Sequence, residues 1–93
     1  MPKLGDDELT TALSGLPEWE REGDAIAKEY KFDSFRDAIA FVNRIADIAD
    51  AADHHPEMTN VYNRVQVKYW THTEGGVTGK DVDAARQVEA AAK

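Results

Sequence analysis

Apolar positions between Ser34 and Pro56 recur at the helical period. Phe35, Ala38, Ile39, Val42, Ile45, Ala46 and Ala49 make one stripe, and Phe41 and Ile48 widen it. Ser34, with Asp37 three residues on, is a variant of the capping box and opens this main helix. A stripe that wide suits a helix that covers a sheet on one side and a partner subunit on the other. Asn43, Asp47, Asp50 and His54 fall at steps of four or three along its polar edge, which puts Asp50 within helical reach of His54. Pro56 is the expected stop, because the residue before a proline disfavours the α region.

Elsewhere the pattern shortens. A first helix is expected with Asp6 as cap, Leu9 and Leu13 on one side and Gly15 at its end. Two strands follow, Trp19-Glu20-Arg21 and residues 25–32, joined across Gly23-Asp24. Ile26, Tyr30 and Phe32 share a face of the second, with Lys28 interrupting it. Residues 59–62 and 65–71 read as a second hairpin around Asn63-Arg64. In its second strand Val65, Val67 and Tyr69 point one way, and Gln66, Lys68, Trp70 and His72 the other. Gly75-Gly76 makes a turn, and Thr78 caps a last helix to about Ala91 with Val82, Ala85 and Val88 buried. The order α-β-β-α-β-β-α predicts an α+β fold, a four-stranded antiparallel sheet covered by helices. Its edges are exposed unless a neighbouring subunit covers them.

Composition narrows the picture. A chain of 93 residues fits one domain, residues 1–93, with a modest core, and it has no cysteine for a disulfide or a thiolate metal site. Oligomerisation is the remaining common source of stability. No apolar run approaches the roughly 20 residues of a membrane span. The acidic start, Met1 to Asp7, lacks the apolar core of a signal peptide. A cytoplasmic protein is expected. The formal net charge of −7 repels phosphate backbones, so nucleic acid is not an expected partner. Such a surface also occurs in proteins adapted to high salt.

All three histidines fall between residues 54 and 72. Imidazole exchanges protons near neutral pH, so the clustering suggests an acid–base site. His54 and His55 also suit a helix C-terminus, but Asp50 adds a carboxylate able to fix a tautomer. His72 ends a strand at a strand-to-helix junction, where sites commonly form. Asp81 has two readings that are compatible: it completes the capping box begun at Thr78, and a capping carboxylate beside a histidine still tunes it. His54, His55, His72, Asp50, Asp53 and Glu57 could supply metal ligands, but adjacent histidines rarely aim at one ion and no spaced ligand motif is present, so no metal is expected. There is no nucleophile with a partner and no phosphate loop. Most aromatic residues, Tyr62 and Tyr69 among them, read as core; Trp70 stands apart because it shares a strand face with His72.

Asp50-x-x-x-His54-His55-Pro56-Glu57, Asn60-Val61-Tyr62-Asn63-x-Val65-x-Val67 and Thr71-His72-x-x-Gly75-Gly76-Val77-Thr78-x-x-Asp81 together closely resemble the pterin-4a-carbinolamine dehydratases. The resemblance runs from about Pro17 to about Ala90, with Met58 a departure from the residue many members carry there. It implies helices on one face of the sheet, a dimer or tetramer, and a hydro-lyase that removes water from 4a-hydroxytetrahydropterin to give the quinonoid dihydropterin. No metal and no organic cofactor would take part. It further implies a catalytic set of His54, His55, His72 and Asp81: His54 and His72 as the acid–base pair, His55 orienting the pterin with a share in proton transfer, Asp81 supporting the cluster or contacting the substrate, and Asp50 holding His54. Pro56, Glu57, Thr71 and Trp70 would line or support the site. Some members of that family serve as dimerisation partners of a transcription factor. A non-catalytic pterin-binding protein, or a helper in molybdopterin-related metabolism, would use the same pocket.

Overall fold

Lys28 sits in a strand face that is otherwise apolar, and what satisfies it shows how the sheet is covered. The structure is a computed structural model that describes residues 2–92. Its elements follow the predicted order: α1 (Asp6–Ser14), β1 (Glu20–Glu22), β2 (Ala25–Lys31), α2 (Phe35–Ala52), β3 (Glu57–Val61), β4 (Arg64–Tyr69), a 3-10 turn (His72–Glu74) and α3 (Gly79–Ala91). The strands make one antiparallel sheet in the order β1-β2-β4-β3. Each hairpin is therefore intact, and the two join through β2 and β4.

Ile26 and Tyr30 of β2, and Val65, Val67 and Tyr69 of β4, bury one face of that sheet. Against them α2 presents Ala38, Phe41, Ile45 and Ala49, and α3 presents Val82, Ala85 and Val88. Phe41 packs between Tyr30 and Phe32, with ring centroids 4.8 and 4.9 Å away. Lys28 lies on this same face. Its Nζ donates to Glu89 Oε1 of α3 at 2.6 Å and to the Pro17 carbonyl at 3.0 Å. Glu89 Oε1 also accepts from Trp19 Nε1 at 3.1 Å and from the Tyr30 hydroxyl. The interruption in the strand pattern is thus a polar clasp between α3 and the sheet. Burial opposes the Glu89 charge, yet the donors, Lys28 and Tyr30 foremost, hold its carboxyl below the usual range. Burial first, then the neighbouring Glu89, pushes the Tyr30 phenol far up.

Several local expectations are corrected. The cap of α1 is Gly5, not Asp6: the Glu8 carboxylate reaches back to the Gly5 N–H at 2.9 Å, while Asp6 is drawn to Arg21 at 2.8 Å. The second hairpin turns at Tyr62-Asn63 rather than Asn63-Arg64, because Arg64 is already in the ladder opposite Val61 and Lys31. Asn60 Nδ2 fixes this turn by donating to the carbonyls of Tyr62 and Arg64. Tyr62 is consequently 67% exposed rather than core. On α2 the core side is narrower than the apolar stripe, and Phe35 is left 48% exposed.

The end of α2 differs in a way that matters for the site. The helix stops at Ala52, before Pro56 can act, because Asp53 adopts a left-handed conformation with φ 51° and ψ 43°. The Asp53 N–H donates to the Asp50 carbonyl and the His54 N–H to the Ala49 carbonyl, the paired bonds of a Schellman motif. Aspartate tolerates that conformation better than most residues. His54 therefore leaves the helix altogether.

Candidate active site

Glu57 faces Lys68 at the end of the β3–β4 ladder. Residues 54–56 and residues 70–72 accordingly run out of the same end of the hairpin, and α3 begins beside them. This convergence gathers most of the residues singled out in the sequence.

His54 stands at the centre. Its side chain is 14% exposed, and Nε2 lies 2.5 Å from Oδ1 of Asp81, which is fully buried. Oδ2 of Asp81 accepts from the Thr71 hydroxyl at 2.8 Å and from the Thr78 N–H at 2.9 Å. The Thr71 and Thr78 hydroxyls are 2.9 Å apart, and Thr78 Oγ1 accepts from the Lys80 N–H at 3.2 Å. Donors and acceptors then order themselves: Thr78 donates to Thr71, and Thr71 donates to Asp81. The capping box at the start of α3 is real, and its carboxylate serves His54 as well. A buried carboxylate with this many donors, in the first turn of a helix, sits where negative charge is favoured.

Tyr69 forms the wall of this group. Its ring stacks on His54, with centroids 5.4 Å apart and planes at 29°. It is fully buried and its hydroxyl has no partner. Burial, and secondarily the Asp81 charge, push the phenol up to about 12. The sequence reading placed Tyr69 in the core and missed its contact with His54. The signal was present: Thr71 continues the Val65-Val67-Tyr69 face at period two, so Tyr69 had to neighbour whatever Thr71 reached.

Two further pairs flank the network. Asp50 engages His55, not His54: His55 Nε2 is 2.9 Å from Asp50 Oδ1, and both side chains are largely exposed. The Schellman turn explains the change, since it carries His54 off the helix and leaves the next residue beside Asp50. His72 lies in the 3-10 turn and stacks on Trp70, with centroids 4.3 Å apart and planes at 27°. Lys68 Nζ lies 5.7 Å from the Trp70 ring centre. Pro56 is half-buried between His55 and β3, and Glu57 is the exposed first residue of β3. The turn that carries His72 is pinched by the Thr71–Gly76 pair, and Gly75 supplies its left-handed residue at φ 68°. Among the described residues no three metal-binding side chains gather as a metal site would require.

This small α+β protein holds a histidine clamped on a buried carboxylate at one end of an antiparallel sheet, with His55 and His72 on the adjoining segments. The chain belongs to the pterin 4 alpha carbinolamine dehydratase family, whose sequence profile matches residues 2–91. It is 46% identical over 88 residues to a protein of Thermomicrobium roseum, covering 95% of each chain, and 42% identical over 90 residues to one of Nocardia farcinica, covering 97% and 95%. Both relatives are named as pterin-4-alpha-carbinolamine dehydratases provisionally. The crystal structure of a transcriptional coactivator/pterin dehydratase from Brucella melitensis superposes with a TM-score of 0.95 at 40% identity, covering 98% of this chain and 99% of that one. A pterin dehydratase-like RuBisCO assembly factor of the alpha-carboxysome shares the fold alone, with a TM-score of 0.68 at 19% identity over 81% of this chain and 89% of that one.

Proposed function

We propose that this protein, working as a single domain, is a dehydratase that removes water from 4a-hydroxytetrahydropterin to give the quinonoid dihydropterin. The observation that carries the reading is the His54–Asp81 clamp, completed by Thr71 and Thr78 at the end of the sheet. The chemistry needs two proton movements. The C4a–O bond breaks with a proton delivered to the departing hydroxyl, which leaves as water. The N5 proton goes to a base as the C4a–N5 double bond forms. Groups that titrate near neutral pH can do both, each typically contributing 10²–10⁴-fold.

In this reading His54 and His72 are the acid–base pair. His55 binds and orients the pterin and shares in proton transfer, held by Asp50. Asp81 positions His54. Trp70 offers an aromatic edge beside His72, and Pro56, Glu57 and Thr71 shape the rim. No metal and no organic cofactor enters the scheme. The protein works in the cytoplasm as a homodimer or homotetramer, a state supported by the edge strand β3, every residue of which is exposed. Among the described residues no helix is long and apolar enough to cross a membrane.

The test follows the ultraviolet absorbance of freshly generated 4a-hydroxytetrahydropterin. Wild type is expected to speed its decay, and His54→Ala and His72→Ala to lose 10²-fold or more in kcat with an unchanged circular dichroism spectrum. Folded wild-type protein that leaves the decay at the buffer rate sinks the enzyme reading. An interaction role would then take its place, favoured by the shallow groove along the outer side of α2 that Phe35, Ile39 and Ala40 line.

A further inference from the structure

We infer that His54 exchanges its proton through Nδ1 alone, with Nε2–H permanently committed to Asp81. The inference deepens the dehydratase reading and rests on it only for its kinetic arm. Asp81 has little accepting capacity left over. Its Oδ2 already takes two donors, the Thr71 hydroxyl and the Thr78 N–H. The Thr71 proton is committed because a carboxylate oxygen only accepts, which leaves Thr78 as the donor between the two hydroxyls. Oδ1 is left with one neighbour, His54 Nε2 at 2.5 Å. A single proton lies between those two atoms, and a carboxylate that already accepts two donors in the first turn of α3 is placed as the acceptor of a third. The proton therefore belongs to Nε2 in the neutral and the charged ring alike.

What the ring gains or loses must then sit on Nδ1. Among the described residues Nδ1 makes no hydrogen bond, and the His54 side chain keeps 14% of its surface exposed, so Nδ1 is the ring nitrogen left free. Tyr69 covers one face of the ring at 5.4 Å between centroids. With its phenol held neutral, it neither takes the proton nor offers Nδ1 another partner. Asp81 and Tyr69 are thus positioning residues: the first sets the tautomer, the second the ring plane.

The test is long-range ¹H–¹⁵N correlation NMR of protein labelled with ¹⁵N-histidine. The His54 signal is assigned by its loss in His54→Gln, at a pH above its titration midpoint. The neutral ring is expected as the Nε2–H tautomer; an Nδ1–H tautomer, or an even mixture, overturns the inference. Asp81→Asn gives a sharper check. The Oδ2 position must remain an oxygen to accept from Thr71 and Thr78, so the amide nitrogen takes the place of Oδ1 and donates to Nε2. His54 is then expected to switch to Nδ1–H, and kcat to fall at least 10²-fold. An unswitched tautomer in folded Asp81→Asn counts against the clamp. The wild-type spectrum decides the question even where that variant does not fold. An Nε2–H ring in a protein without dehydratase activity leaves the proton assignment standing and removes the reading; an Nδ1–H ring in an active enzyme does the reverse.

Discussion

His54 depends on neighbours from β4, from the turn after it and from the start of α3, and each can be changed alone. The Tyr69 hydroxyl is the plainest case. A buried polar group without a partner carries a desolvation cost of about 1–3 kcal/mol, which removal of the group recovers. Tyr69 is fully buried and its hydroxyl unpaired. Tyr69→Phe keeps the ring against His54 and deletes the orphan. The expected result in urea denaturation is a protein at least as stable as wild type, by up to about 1 kcal/mol. A loss of stability would show that the hydroxyl has a partner. The same residue marks the limit of what the pattern discloses. Alternation along β4 puts Tyr69 and Thr71 on one face, and the capping box at Thr78 and Asp81 is a local pattern. Both were legible. That Asp81 meets His54, 27 residues earlier, was not, because no local rule relates a cap on α3 to the end of α2.

At the scale of elements, the chain is most informative where a helix ends. The i,i+4 rule paired Asp50 with His54, and it failed because α2 ends two residues before His54. The failure is physical: the left-handed Asp53 reverses the chain, so helical spacing no longer applies beyond it. Glycine meets no steric penalty in that conformation. Asp53→Gly is therefore expected to raise stability by up to about 1 kcal/mol in thermal or urea unfolding, the left-handed penalty relieved less the added entropy of the unfolded chain, and to leave His54 on Asp81. A drop in stability would mean that the Asp53 side chain, and not its backbone, holds the turn. The opposite end of α3 makes a second test. Glu89 binds Lys28, Trp19 and Tyr30 and is held below its ordinary value of 4.5 in the folded chain. A depressed carboxyl contributes stability that is complete above the unfolded value and is lost as pH falls through the folded one. The acid limb of the stability curve below pH 4.5 should accordingly become shallower in Glu89→Gln, with overall stability at neutral pH reduced. An identical acid limb in both proteins would put the acid sensitivity elsewhere. Lys28 looked like a blemish in the strand pattern because its partner lies 61 residues away, on an element whose docking the local sequence does not specify.

The whole molecule has one side finished and another not. Helices α2 and α3 close one face of the sheet, and β2 and β4 are paired on both edges. β3 is paired on one edge only, and every residue of it is exposed. Met58, Val61 and Tyr62 are 36%, 56% and 67% exposed, and they lie along that strand and its turn. Proteins usually blunt such an edge with charge, proline, a bulge or a cover. Within β3 the only charged residue is Glu57 at its first position, and there is no proline. A chain this short gains much from a cover, since its own core is small. The edge pairing with that of a second copy would extend the sheet and bury those side chains, and the acidic net charge of −7 argues against a polyanion as the occupant. Light scattering on a size-exclusion column is expected to return two or four times the chain mass of 10.3 kDa. Val61→Lys should shift that mass toward the monomer, because a lysine at the strand edge opposes pairing, and it should lower the unfolding temperature at low protein concentration more than at high. A wild-type monomer at micromolar concentration would leave β3 free and refute the homo-oligomer. A Val61→Lys protein that stays oligomeric would instead place the contact elsewhere, with the Phe35 side of α2 as the next surface to change.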